Sequence, residues 1–170
     1  MNHFELFELP ISLHPDTRQL KQKFYALSRK FHPDFYTQES ELEQAEALEK
    51  SSQINKAFKI FQDGDETIKY VLQLKGLLQE EEKYDLPPAF LMEVMELNEQ
   101  MMEAKMDGEA ASATRLKTAI AELEEEIYAP VKMIVEGYEE GKTTEADLLK
   151  VKEYYYKKKY LNRILATMNR

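Results

Sequence analysis

Apolar residues recur with helical spacing along nearly the whole chain. Leu20, Phe24, Leu27 and Phe31 stand at i, i+4, i+7 and i+11, one buried face of a helix. Asp16 precedes that helix with Gln19 three positions on, a capping box in form, and Pro33 stops it. Before it, residues 2–9 read as a short amphipathic turn with Phe4, Leu6 and Phe7, closed by Pro10. After it, a long helix is expected over about 39–62. Leu42, Ala45 and Leu48 would line its first part, and Ile54, Ala57, Phe58 and Phe61 its second. Asp63-Gly64-Asp65 breaks it, and a shorter helix over 67–76 carries Ile68, Val71 and Leu72.

The pattern then lapses. Residues 79–86 (QEEEKYDL) read as a linker that ends at Pro87-Pro88. The second half resumes with a helix over 88–107. A second starts near Glu109, carries Leu116, Ile120, Leu123 and Ile127, and is kinked or interrupted at Pro130. Val131, Ile134 and Tyr138 continue its apolar register to the break at Gly141. Thr144, with Asp147 at the third position, opens a last helix to about Met168, striped by Leu161, Ile164, Leu165 and Met168. The expectation is an all-α chain: residues 1–78 as one domain, 79–87 as linker, and 88–170 as an antiparallel three-helix bundle.

Composition narrows the chemistry. The 170 residues include no cysteine, which removes disulfides, thiolate metal sites and a Cys nucleophile. The three histidines, His3, His14 and His32, lack metal-ligand spacing, and five glycines form no phosphate loop. No apolar run approaches the roughly 20 residues of a membrane span, and the N-terminus lacks the form of a secretory signal. Net charge is −9, so general nucleic-acid binding is not expected. Charge is also segregated. Residues 79–147 hold six Lys/Arg against nineteen Asp/Glu, and residues 148–170 hold seven against one.

The tripeptide HPD occurs twice, at 14–16 and 32–34. In the first copy Asp16 has a sufficient job as a helix cap. The second follows a helix instead of opening one. Residues 17–33 contain Arg18, Lys21, Lys23, Arg29 and Lys30 and no acid. The apolar face is used by the core, so these cations face solvent, a docking surface for an acidic partner. Asp34 could also merely cap a turn, with His32 bonded locally. A hydrolytic pairing of His32 with Asp34 is poorer. No nucleophile is matched to it, and nothing supplies an oxyanion site for Ser28.

The short first helix HFELFELP, the basic helix LKQKFYALSRKFHPD and the helix SSQINKAFKIF together resemble a J-domain, the co-chaperone module of Hsp70. SSQINKAF followed by TIKYVLQLKG and AFLMEVMELNEQ is similar more specifically to the Hsc20/HscB family of iron–sulfur cluster assembly co-chaperones. That resemblance implies a J-domain packed against a C-terminal three-helix bundle in an L-shaped molecule. It also implies stimulation of ATP hydrolysis by a dedicated, HscA-like Hsp70, and delivery to it of the IscU-like scaffold on which clusters are built. His32, Pro33 and Asp34 would be the essential loop, with Tyr25, Arg29 and Lys30 helping to dock. Phe35-Tyr36 stands where relatives commonly carry a base, which bears on which Hsp70 is recognised.

Residues 88–107 carry more apolar positions than one stripe needs. Phe90, Val94, Leu97 and Met101 suit a core; Leu91, Met92, Met95 and Met102 do not share their line. This is either a wide core face with solvated acids or an exposed apolar patch rimmed by carboxylates, a common form of protein-binding face. The resemblance implies the second, placing scaffold contacts at Leu91, Met92, Met95, Glu96, Glu99 and Glu103, with Tyr156 from the last helix. In EYYYKKKY the four tyrosines are not all expected to face the core. Lys157, Lys158 and Lys159 could bind nucleic acid, but a basic run of three on an acidic chain reads rather as a solvated face or as partners for acids of the middle helix. No cofactor, metal or enzymatic activity is expected, and the chain is expected to act as a cytoplasmic monomer. A J-domain adaptor carrying a different client, or a purely structural helical protein, would share most of these features.

Overall fold

The computed structural model describes residues 1–167; Met168, assigned above to the last apolar stripe, lies outside them. Among the described residues the only regular elements are helices, joined by turns and irregular stretches, with no strand. They form two compact units, Met1–Leu74 with Tyr138–Lys142, and Lys75–Gly137 with Thr143 onward.

In the first unit, α1 (His3–Leu6) is closed at its start by a full capping box. The Asn2 side chain accepts from Glu5 N–H, and Glu5 answers to Asn2 N–H. The helix α2 (Thr17–Phe31) starts where the Asp16 carboxylate accepts Gln19 N–H at 2.9 Å. It is followed by a 3₁₀ turn (Pro33–Tyr36), by α3 (Glu41–Gln62), capped by Ser40, and by α4 (Gly64–Leu74). Asp63 separates the last two, its carboxylate accepting both Asp65 and Glu66 N–H. Phe24 stacks on Phe58 with ring centroids 3.8 Å apart and planes 8° apart, while Lys50 lies over the Phe31 ring. Residue 24 meets 58 and residue 31 meets the region of 50, so α2 and α3 run antiparallel. Phe4, Phe7, Leu20, Ile54, Ala57, Phe61, Val71 and Leu72 fill the core between the helices.

One part of the expected core is not there. Leu42, Ala45 and Leu48 are exposed, and Ala47 is the buried residue of the first half of α3. The periodicity was real but its phase was not settled by it. The α2 helix ends at Phe31, so this stretch of α3 lies beside a short turn and not beside a full helix. Only a small residue fits inward there, and the leucines are left on the outer sides.

The second unit holds α5 (Pro88–Asp107), α6 (Ala110–Tyr128), a 3₁₀ turn (Ala129–Val131), α7 (Lys132–Glu136) and α8 (Glu145–Ala166). Gly108 ends α5 in the left-handed conformation that favours glycine. Pro130 breaks the middle helix, as its missing N–H requires, and the hydroxyl of Tyr128 donates across the break to Glu136. Phe90, Val94, Leu97 and Met101 are the buried stripe of α5, and Leu116, Leu123 and Ile127 of α6 and Leu148, Val151 and Leu161 of α8 are buried as well. Burial continues unexpectedly through Tyr154, Tyr155 and Tyr156, three successive residues all under 10% exposed. Consecutive positions sweep about 200° of a helix, so α8 is covered on more than its bundle side. The extra cover comes from the stretch read as linker. Tyr84 lies flat on Tyr156, ring centroids 4.6 Å apart at 7°, and Glu82 accepts hydrogen bonds from Lys152 (2.7 Å) and Tyr156 (2.9 Å).

Candidate functional site

The second HPD copy lies where a helix is forced to end. Pro33 pushes His32 out of the helical region to φ −63, ψ 129, and the chain turns at once into the 3₁₀ segment. The turn is braced from both sides. The Tyr36 hydroxyl donates to the Lys30 carbonyl at 3.0 Å, satisfying an acceptor that the helix end leaves unpaired. His32 Nδ1 accepts Asp34 N–H at 3.2 Å, so the neutral ring carries its proton on Nε2. The same Nδ1 lies 3.6 Å from Asp34 Oδ2. The Asp34 carboxylate is 85% exposed, and its other surroundings are solvent.

The flanking face is as basic as the sequence suggested. Tyr25, Arg29 and Lys30 are exposed on α2, and Lys30 sits over the Phe31 ring, 5.2 Å from its centre. Among the described residues the ion pair of α2 is Lys23 with Glu8, at 3.4 Å, two turns before the helix end. Thus Arg29 and Lys30 stand at the end of α2 beside His32 and Asp34, with Pro33 fixing the turn, and Tyr25 lies one helical turn back from Arg29. Phe35, 70% exposed, stands edge-on to His32 and adds an apolar residue to that surface. The first copy differs throughout: Asp16 is occupied in capping α2.

On α5 the apolar positions separate cleanly. Phe90, Val94, Leu97 and Met101 are each about 3% exposed or less, while Met92 and Met95 are both 64% exposed and Met102 is 59% exposed. Glu96, Glu99 and Glu103 stand exposed beside them, and Leu91 is half-buried at the edge. The patch therefore offers adaptable methionine side chains within a rim of carboxylates. On the flank that faces α6, burial and the neighbouring Glu126 carboxyl push the Glu93 carboxyl above the usual range.

Tyr156 is placed differently. It is 9% exposed, and its hydroxyl and ring face are taken by Glu82 and Tyr84. It does not join the open methionine patch. With Leu91 it lines a groove of about 700 Å³ whose other walls include Tyr84, Leu86 and Tyr160. Sequence reasoning missed these surroundings. Glu82 and Tyr84 lie in a stretch without periodicity, and only the opposite charge of residues 79–147 and 148–170 hinted at them. The Lys157 ammonium reaches Glu153 of its own helix at 4.0 Å. Among the described residues no group of side chains is arranged to hold a metal, and no helix is long and apolar enough to cross a membrane.

The family model described as the HSCB C-terminal oligomerisation domain matches residues 86–169. A Vibrio cholerae protein named co-chaperone protein HscB homolog is 40% identical over 114 residues, 65% of this chain and 67% of its own length. An Acinetobacter baumannii protein of the same name is 35% identical over 146 residues, 86% of this chain and 78% of its own. The crystal structure of human co-chaperone protein HscB superposes with a TM-score of 0.81 at 26% identity, covering 99% of this chain and 81% of the human one. The chain therefore belongs to the HscB family, the J-domain co-chaperones of iron–sulfur cluster assembly.

Proposed function

We propose that this chain stimulates ATP hydrolysis by a dedicated Hsp70 through His32, Pro33 and Asp34, docked by Tyr25, Arg29 and Lys30, and that it delivers the cluster scaffold bound at Leu91, Met92, Met95, Glu96, Glu99 and Glu103. The observation that carries the first half is the exposed Asp34 carboxylate on a braced turn beside a basic helix. A carboxylate held in place before binding loses little freedom when it meets a partner cation. The second half is supported by two methionines left outside a complete core stripe. Tyr156 contributes from the groove beside Leu91. The chain performs no catalysis of its own and works as a monomer in the cytoplasm, without nucleic acid, membrane or cofactor. Sedimentation as a dimer at micromolar concentration would overturn the monomer.

Single-turnover ATP hydrolysis by the cognate Hsp70 tests both halves. Wild-type protein should accelerate it, the scaffold should enhance that effect, and Asp34→Asn should abolish it. No acceleration by folded wild-type protein would remove the Hsp70 assignment. Acceleration that the scaffold does not enhance would favour an adaptor for a different client.

A further inference from the structure

We infer that the groove beside Leu91 receives an acidic segment of the scaffold with an apolar anchor, and that Lys159, Tyr160 and Arg163 of α8 select it. The inference rests on the proposal that the scaffold covers the α5 patch. Its walls are Tyr84, Leu86, Leu91, Tyr156 and Tyr160, a largely aromatic lining for an apolar side chain. Lys159 and Arg163, one helical turn apart, stand at its mouth. The Arg163 guanidinium lies 5.0 Å from the Tyr160 ring centre and the Lys159 ammonium 5.8 Å from that of Tyr156.

The charges of this region divide into occupied and available groups. Lys152 is held by Glu82 at 2.7 Å, and Lys157 lies 4.0 Å from Glu153. Glu82, though on the groove wall, is already taken by Lys152 and Tyr156. Lys159 and Arg163 lean on rings and reach no carboxylate within ion-pair distance among the described residues. Asp85 is the remaining acid on the lining, opposed by the two cations. In a chain of net charge −9, a groove end with a positive balance is an attractor for carboxylates.

Leu91 belongs to the groove and adjoins Met92 on the exposed face, so one partner surface can cover both without a gap. The two sides of that surface then meet opposite charges. Glu96, Glu99 and Glu103 stand on α5, whereas Lys159 and Arg163 stand on α8, which runs beside it from Tyr160 near Phe90 to Thr167 near Lys105. An apolar patch alone would accept a partner in either orientation across it. The charge division admits one orientation: basic groups over the glutamates and acidic groups at the groove.

Stopped-flow association of the full chain with the cluster scaffold protein, at low and at raised ionic strength, tests this. Lys159→Glu with Arg163→Glu should slow association roughly tenfold at low salt and flatten its salt dependence. Lys159→Arg with Arg163→Lys should keep the wild-type rate, and Lys159→Gln with Arg163→Gln should fall between. Met92→Ala with Met95→Ala is the control for the α5 patch and should act mainly on dissociation. Weaker binding by the methionine variant with wild-type rates in the charge reversal would overturn the groove and leave the patch standing. No effect of either variant, or no scaffold binding by wild-type protein, would overturn both. Faster association after charge reversal would mean a basic segment meets the groove and would equally overturn the inference.

Discussion

The hydroxyl of Tyr156 donates a 2.9 Å hydrogen bond to the carboxylate of Glu82, joining α8 to the irregular stretch that precedes α5. Lys152 donates to the same carboxylate at 2.7 Å, and its side chain is only 14% exposed. These bonds hold the Glu82 carboxyl below the usual carboxylate range, the Lys152 hydrogen bond contributing most, and burial with the Glu82 bond pushes the Tyr156 phenol up. Glu82→Gln should cost the C-terminal unit about 1–3 kcal/mol near neutral pH, because a partly buried ammonium loses its counter-charge. A group whose pKa is depressed in the folded state stabilises above its ordinary pKa and stops doing so as pH falls through the depressed value. The penalty of Glu82→Gln should therefore shrink in acid, below about pH 4. Urea midpoints of both proteins at neutral and acidic pH measure it; a pH-independent difference would show that the charge is not the source.

The two HPD copies should separate under mutation. Asp34→Asn should abolish Hsp70 stimulation with no loss of stability, since the carboxylate is 85% exposed. Asp16→Ala should cost roughly 0.5–2 kcal/mol, the usual price of a helix cap, and leave stimulation intact. Thermal melts paired with single-turnover assays check both, and loss of stimulation in folded Asp16→Ala protein would contradict the division of roles.

Two aliphatic positions six residues apart on α3 should behave oppositely. Ile54 is fully buried and Leu48 is 61% exposed. Ile54→Ala should destabilise by about 2–5 kcal/mol through the cavity it leaves. Leu48→Ala should change stability by no more than about 0.5 kcal/mol. Denaturant unfolding of the two variants decides whether Ala47, and not Leu48, is the inward residue of that segment.

The α5 methionines should be separable from the bundle core. Met92→Ala with Met95→Ala should weaken scaffold binding while leaving the melting temperature close to wild type, because both side chains are 64% exposed. Leu97→Ala, 3% exposed, should lower the melting temperature instead. Calorimetric titration and thermal melts of the same preparations separate the two effects.

His3 should make the N-terminal unit sensitive to mild acid. Its ring stacks on Tyr70, centroids 4.5 Å apart, and burial, helped by the Lys56 charge, pushes its pKa down. The folded unit resists a proton that the unfolded chain accepts below about pH 6.5. Its contribution is therefore present above that pH and lost as pH falls below it. His3→Phe keeps a stacked ring and should flatten the slope. Hydrogen exchange of α4 amides between pH 7.5 and 5.5, corrected for intrinsic rates, reads this unit alone, and an unchanged slope in His3→Phe would assign it elsewhere.

Much was legible along the chain because it is local. Asp16, Ser40 and Thr144 mark helix starts by accepting the amide three residues on. Pro33 and Pro130 interrupt helices wherever they fall, since neither can supply an N–H. The stripe Phe90, Val94, Leu97 and Met101, the basic face of α2 and the second HPD turn follow from spacing, and the family resemblance from motifs in that order. What spacing leaves open is phase, when a helix carries apolar residues on several sides. Leu42 and Leu48 went outward because the short turn after α2 leaves room only for Ala47, and Met92 and Met95 because Phe90, Val94 and Leu97 already fill the bundle. Tyr156 went inward because Glu82 and Tyr84, more than seventy positions earlier, cover it. The sequence by itself determined where helices begin, where they end and which residues can carry charge to a partner, because those depend on neighbours along the chain. Only the tertiary structure decided which apolar side chains remain available for binding, because that depends on which distant surface reaches them first.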